Sequence, residues 1–412
     1  MTMSIQSCFR NIVSAFSITI LLAFAVTRPA HAFLLPDTGQ TKCYDVAGAE
    51  TVCAETGQNG AYTINLMSYT DNGDGTVTDN NTGLVWQKQD DGTKRTWDEA
   101  NTYCDNLVLG GASDWRVPTK EELIGIVDYS VNVHPAINSA YFPDTSRDHY
   151  WSSSTHTYFT NEAWFAQFYS GYVDGESKTT GNYVRCARAG EAPPHNFVDN
   201  GGMVTDTKTG LIWQTGESGS LSWDDALSYC EGLTLGGNSD WRLPNIKELE
   251  SIVDDTRYNP AINSIFWGTS TEEYWSSTTG LGAFNAWYVN FLDGFVRYAS
   301  KNEGSHVRCV RGTNNCAATL NPNDLSMHIP VLDFAGSSYW LDFNYVAGLD
   351  FAMASVGWLT DTTPYSNCAH STLSETNLDI HVPTLMFSGY SFWVDFMYQS
   401  SIVFTLISVG GN

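Results

Sequence analysis

Positive charge is the scarcest property of this 412-residue chain, in which 20 Lys plus Arg stand against 45 Asp plus Glu for a formal net charge of −25. That deficit argues against nucleic acids and sulfated polyanions as partners, because binding them rests on neutralising phosphate or sulfate with Lys and Arg. Long apolar runs are also missing: after residue 32 no stretch approaches the roughly 18 residues needed to cross a membrane. Nor is there a His/Cys/Asp cluster at metal-ligand spacing, a Gly-x-Ser-x-Gly elbow or a His-Glu-x-x-His motif, so no cofactor and no catalytic constellation is expected. What is present is a large core reserve, 42% hydrophobic and 13% aromatic residues with 35 Gly, which excludes wholesale disorder and favours turn-rich β structure. The length suggests about two to four domains.

Residues 1–32 read as a signal peptide. Arg10 forms the positive n-region, residues 12–26 an apolar stretch too short for an ordinary span, and Ala30-His31-Ala32 an A-x-A cleavage site. The expected localisation is therefore secreted, whether extracellular, cell-surface or periplasmic, and the mature chain carries −27 once Arg10 and Arg28 are lost. Cys8 leaves with the signal, and the remaining eight cysteines suit disulfides in an oxidising compartment.

An internal duplication organises those cysteines. Asp79-Asn-Asn-Thr-Gly-Leu84 with Trp86-Gln87 recurs as Asp206-Thr-Lys-Thr-Gly-Leu211 with Trp213-Gln214, and Trp97-x-x-Ala100-x-x-Tyr103-Cys104 as Trp223-x-x-Ala226-x-x-Tyr229-Cys230. Asp114-Trp-Arg-Val-Pro118 matches Asp240-Trp-Arg-Leu-Pro244, Tyr150-Trp-Ser-Ser153 matches Tyr274-Trp-Ser-Ser277, and Val184-Arg-Cys186-x-Arg188 matches Val307-Arg-Cys309-x-Arg311. Equivalent cysteines should pair equivalently, so Cys104–Cys186 and Cys230–Cys309 are expected; each closes a loop of about 80 residues, worth roughly 4 kcal/mol in the chain-entropy model. Cys43 with Cys53 and Cys316 with Cys368 complete the scheme. Thr96 with Glu99, and Thr119 with Glu122, are capping boxes that predict one helix to about Leu107 and a second after Pro118 that buries Leu123, Ile126 and Val127.

The ordered motifs resemble the C-terminal domain of collagen-like bacterial adhesins, the Lcl C-terminal family, over both copies. That resemblance implies an α+β fold similar to C-type lectins and formylglycine-generating enzymes, and a role in surface adhesion and carbohydrate binding. The expected organisation is a small disulfide leader (33–68), copy 1 (69–188), a linker (189–196), copy 2 (197–312) and an all-β, sandwich-like domain of two internal repeats (313–412). The calcium-lectin motifs Glu-Pro-Asn, Gln-Pro-Asp and Trp-Asn-Asp occur in neither copy, and a formylglycine-type enzyme needs reactive cysteines that the structural pairs here consume. Because the copies carry −8 and −7, a sulfated ligand is not carried over from the family.

Candidate sites compete with structural readings. Asp71-Asn-Gly-Asp-Gly-Thr-Val-Thr-Asp79 opens like a calcium loop, but Thr82 stands where Glu would be required and copy 2 loses the middle aspartate, which favours a solvated turn. Most tryptophans fit core patterns. The segments at Trp164 and Trp287 alternate aromatics into Gly turns, so some of their rings are expected to face solvent, with Asn138, Gln167, Asn263 and Asn290 to hydrogen-bond sugar hydroxyls. Arg116, Arg242, Arg185 and Arg308 are expected in buried pairs with carboxylates. In the last hundred residues, which hold no Lys or Arg, His328-Ile-Pro330 recurs as His381-Val-Pro383; the two histidines are read as strand-end hydrogen bonders rather than metal ligands. The function expected is a non-enzymatic surface-binding protein with a glycan or protein partner, against the alternatives of an enzyme on the formylglycine-enzyme scaffold or a structural envelope component.

Overall fold

The computed structural model describes residues 35–312, except 55, 63, 64, 66, 131 and 190–193, and beyond them the backbone of eight strands. The expected signal peptide and the expected Cys316–Cys368 pair lie outside the described residues. A two-stranded leader hairpin, β1 (Cys43–Tyr44) and β2 (Glu50–Thr51), is closed by the Cys43–Cys53 disulfide. Copy 1 follows with β3 (Tyr69–Asp71), β4 (Thr76–Asp79), β5 (Val85–Gln87), α1 (Trp97–Asp105), α2 (Lys120–Gly125), β6 (His149–Thr155), β7 (Glu162–Gln167), β8 (Tyr172–Ser177) and β9 (Ala187–Arg188). Copy 2 repeats this order as β10 (Phe197–Asp199), β11 (Met203–Asp206), β12 (Ile212–Gln214), β13 (Ser218–Leu221), α3 (Trp223–Glu231), α4 (Ile246–Ser251), β14 (Glu273–Thr279), β15 (Asn285–Asn290), β16 (Phe295–Ser300), β17 (Ser305–Val307) and β18 (Val310–Arg311).

Both capping boxes form: Thr96 accepts from Glu99 N and Thr119 from Glu122 N, and each glutamate accepts in return from its cap's backbone N–H. The helices stop at Asp105 and Gly125, short of the apolar pattern, which continues into the turns beyond them. The disulfides Cys104–Cys186 and Cys230–Cys309 tie the first helix of each copy to its last strands, as the repeat requires. Around each lies a small core, Trp115, Trp151 and Phe165 in copy 1 and Trp241, Trp275 and Leu243 in copy 2. The four arginines are engaged as pairs or clamps. Arg116 and Arg242 make bidentate contacts to Glu122 and Glu248, and Arg185 reaches Asp90, whereas Arg308 is held by the Gln214 and Thr215 carbonyls and Thr269 Oγ1 rather than by a directly bonded carboxylate.

The copies do not hang as separate beads. Strand β8 of copy 1 pairs antiparallel with β16 of copy 2, Val173 opposite Val296, giving one eight-stranded sheet in the order β13-β17-β14-β15-β16-β8-β7-β6. Val173 and Val296 are equivalent positions of the repeat, so a local two-fold axis passes between them. Helices α2 and α4 pack on one face of this sheet and on each other, over a shared core that includes Leu123, Trp164, Val173, Leu249, Trp287 and Val296.

Equivalent positions at this seam differ in charge. Asp174 and Arg297 occupy matching positions and form a 2.7 Å salt bridge across it. Lys120, buried where copy 2 has Ile246, pairs with Glu250 at 3.3 Å and with Asp255 of copy 2; burial would lower its pKa, but the two carboxylates hold it raised. Glu121, where copy 2 has Lys247, meets Lys208 at 2.6 Å and His195 at 3.2 Å. Lys247 in turn donates to the carbonyls of Asp37 and Gly125, at 2.7 and 2.8 Å, and burial brings its pKa down to about 8.

The C-terminal strands are β19 (Ala318–Leu320), β20 (Met327–Phe334), β21 (Ser337–Ala347) and β22 (Asp350–Leu359), repeated as β23 (Ser371–Leu373), β24 (Ile380–Phe387), β25 (Tyr390–Ser400) and β26 (Val403–Gly411). The two repeats, expected to pack as one sandwich-like domain, join through their edges. All eight strands belong to one sheet, the halves meeting at β22–β26 and closing through the parallel pairs β19–β24 and β20–β23, so that each half's edges are satisfied by the other's. Pro330 and Pro383 each sit where the register shifts, which is where a strand tolerates a missing N–H.

His195 tests the seam. It bridges Asp206 at 2.8 Å and Glu121 at 3.2 Å; burial opposes its cation, but those two hydrogen bonds outweigh burial and raise its pKa to about 9. A folded pKa above the ordinary 6.5 means the stabilisation is complete below pH 6.5 and disappears as pH rises through about 9. Urea unfolding should therefore find His195→Gln less stable than the parent by roughly 1–3 kcal/mol at pH 6, with the gap closing by pH 9.5; a gap that does not change with pH would show that no cation is held there.

Candidate functional site

Trp164 and Trp287 are 1% exposed, so the expectation that their rings face solvent is corrected for both. Trp164 lies under Lys120 Nζ, 4.5 Å from its ring centroid, and edge-on to Phe295 of copy 2 at 5.2 Å. Trp287 sits edge-on to Tyr129 of copy 1 at 5.1 Å. Each indole thus fills the seam against the other copy. The partner copy covers a face that a reading of one copy alone leaves open. In the same segments Tyr169 does face solvent, 47% exposed and stacked on His134 at 4.7 Å.

The four polar candidates are half-buried and serve their own turns. Asn138 Oδ1 accepts from Ala140 N, Asn263 Oδ1 from Ile265 N and Asn290 Oδ1 from Leu292 N, at 3.1, 3.0 and 2.8 Å. Gln167 contacts His149 Nε2 and Ser170 Oγ, both at 3.2 Å. Because side chains alternate along a strand, Gln167 and Trp164 point to opposite faces of β7, as do Asn290 and Trp287 on β15. Ring and amide of one strand therefore cannot grip one ligand. The acidic loop is likewise occupied locally: Asp71 accepts from Gly73 N at 3.0 Å, Asp74 from Thr76 N at 3.1 Å and Asp79 from Asn81 N at 2.9 Å. Among the described residues no group of three or more His, Cys, Asp or Glu is placed to hold a metal ion. In the C-terminal sheet His328 stands opposite Thr319, itself opposite Met386, so the register does not set His328 beside His381.

A different surface has the features of a binding site. In copy 2 a polar cleft of about 350 Å³ is lined by Ser220, Ser270, Glu272, Glu273, Ser305 and His306. Glu217 holds two of these lining residues, accepting from Ser270 N at 3.0 Å and lying 3.2 Å from His306 Nδ1. Beside it stands Trp267, 65% exposed. The far edge of its ring comes within 3.8 Å of where a Cβ would stand at Gly216, the residue before Glu217.

At the positions that line this cleft the copies differ. At the position of Ser220 copy 1 has Lys94, which closes onto Asp148 in a 2.5 Å salt bridge, and at the position of Glu273 it has His149, tied to Glu176 at 3.1 Å. Pro143 replaces Trp267. Copy 2 therefore exchanges a cation and its ion pair for a serine, frees a carboxylate, and adds an aromatic face. A larger depression runs along the outer flank of α1 in copy 1, lined by Asp98, Glu99, Thr102, Tyr103, Asn106, Leu107 and Val108; its surface is mostly apolar, whereas that of the copy 2 cleft is mostly polar. Sequence reasoning pointed to Asn263, four residues away, but passed over Trp267, since the repeat highlights what the copies share. The available signal was the lone aromatic in a Phe-Trp-Gly-Thr-Ser turn with no counterpart.

These features define a class of protein: a tandem, disulfide-stapled α+β module, fused into one unit, with a polar surface cleft on copy 2. The Lcl C-terminal domain model matches residues 75–188 and 202–311, more than half of the chain, and the chain belongs to that family. No curated protein matches it. The family suggests a surface or adhesin-like protein. No described helix is long and apolar enough to cross a membrane.

Truncations should separate the two kinds of tryptophan. Trp164→Ala or Trp287→Ala should cost roughly 3–5 kcal/mol in chemical unfolding, as core truncations do, whereas Trp267→Ala should stay within about 0.5 kcal/mol of the parent. A large loss for Trp267→Ala would place that ring in the core.

Proposed function

We propose that this protein is a secreted, non-enzymatic binding protein of lectin-like fold, and that the copy 2 cleft takes a neutral or weakly basic glycan. The observation that carries this reading is the exposed Trp267 ring beside a cleft of carboxylates and hydroxyls. An indole face offers a large apolar contact to the C–H face of a sugar, while Glu272, Glu273 and the serines supply acceptors and donors for its hydroxyls. The carboxylates and the chain's net charge of −25 repel sulfate. Copy 1, closed at the same place by Lys94 and Asp148, acts in this reading as the rigid half that supports the seam, so one glycan is bound per chain. The cysteines of both copies are spent in disulfides, which supports binding over thiol chemistry on this scaffold.

A glycan array probed with the mature protein should return neutral or amino sugars, and Trp267→Ala should lower affinity about 10-fold to 100-fold with the fold intact. Selective tight binding to heparin-like polymers, or retention of full affinity by Trp267→Ala, would overturn the reading.

A further inference from the structure

The leader lies across copy 2, and the same face of copy 1 is open. On copy 2, Lys301 Nζ donates to the Tyr44 carbonyl at 2.8 Å and Thr278 Oγ1 to Asn59 Oδ1 at 3.2 Å; Gln40 pairs with both backbone groups of Thr279, at 3.0 and 2.6 Å, and Tyr62 OH donates to Glu231 at 2.5 Å. Under this cover Trp223, Asn245, Thr278, Thr279 and Lys301 are all 2% exposed or less.

Copy 1 has the same seat built from equivalent parts. Trp97 Nε1 donates to Ser152 O as Trp223 Nε1 does to Ser276 O, each at 2.8 Å. The Ser154 hydroxyl accepts from Lys120 N at 3.1 Å, matching Thr278 and Ile246 N at 2.9 Å. Lys178 lies over Trp97 at 4.8 Å as Lys301 lies over Trp223 at 3.9 Å. Yet Thr119 and Thr155, the counterparts of Asn245 and Thr279, are exposed, and Trp97, Ser154 and Lys178 are only half-buried. At the inner end Thr157 Oγ1 bonds the Asp255 carbonyl of copy 2, just as, beside the copy 2 seat, Gln40 bonds the Tyr129 carbonyl of copy 1 at 2.8 Å. The open part of the seat is thus the outer stretch, opposite where Tyr44 and Asn59 lie on copy 2.

We propose that this open face of copy 1 is a docking site for a hairpin-and-turn polypeptide segment of a partner protein, bound as the leader binds copy 2. The occupant's chemistry follows from the filled seat: a main-chain carbonyl for the Lys178 ammonium, which has protons to spare beyond the one given to Thr160 O, and a carboxamide side chain at the Ser154 hydroxyl. A polypeptide is favoured over a sugar because a polypeptide fills the equivalent seat. The site is separate from the copy 2 cleft and does not depend on the glycan reading.

The probe is a synthetic peptide of residues 37–62 closed by its own disulfide, titrated into the full mature chain with its leader in place. Saturable binding of one peptide per chain is expected, weakened at least about tenfold by Thr155→Arg, a surface change whose thermal unfolding should match the parent, and unaffected by Trp267→Ala. A photoreactive group at the peptide's position 59 should crosslink to 152–155 or Lys178 of copy 1. Crosslinking to 276–279, binding that survives Thr155→Arg, or no binding tighter than about 1 mM would each overturn the proposal.

Discussion

One antiparallel strand pair, Val173 against Val296, decides the architecture of residues 69–311. A domain ending its sheet at β8 or β16 would present an open edge with a row of unpaired backbone groups. Pairing the two edges satisfies both, and it brings the helices α2 and α4 onto the same face, where Trp164 packs on Phe295 of copy 2 and Trp287 on Tyr129 of copy 1. The shared core follows from that geometry. So does the requirement that whatever polar groups remain at the seam be paired, since an unpaired buried charge is costly.

A seam between identical copies would set like against like. Asp174 would face Asp, and Lys120 would meet the counterparts of Ile124 and Tyr129, leaving its charge unpaired. The chain avoids this because the two halves, joined in one polypeptide, differ at those positions: Asp174 meets Arg297, Lys120 meets Glu250, and Glu121 meets Lys208. Such pairing contributes specificity as much as stability, because it fixes which copy sits on which side. The same asymmetry reaches the surface. Ser220 for Lys94 and Trp267 for Pro143 give copy 2 a cleft, while the leader claims a seat on copy 2 that copy 1 leaves open.

Much of each copy was legible in the residues because the relevant signals are local. Thr96 with Glu99 and Thr119 with Glu122 dictate helix starts through backbone hydrogen bonds within four residues, and the repeat pairs the cysteines without reference to three dimensions. The seam was not legible. Trp164-Phe-Ala-Gln has the alternation of a strand with one wet face, and nothing within copy 1 announces that copy 2 will cover the ring. The closure of the C-terminal strands into one sheet was hidden for the same reason, since strand patterns fix which faces are apolar but not which edges meet.

The candidate site was missed for the opposite cause. A duplication draws attention to shared residues, and shared residues here are mostly those that build the fold: Trp86, Trp151, Arg185 and their counterparts are all buried. Binding needs side chains that the fold does not consume. Within a fused pair, those are found where one copy keeps a structural contact, as Lys94 with Asp148, and the other has lost it, leaving Glu272 at an open cleft. Differences between equivalent positions, read against a common scaffold, therefore mark the candidate site in this molecule more sharply than the motifs that define its family.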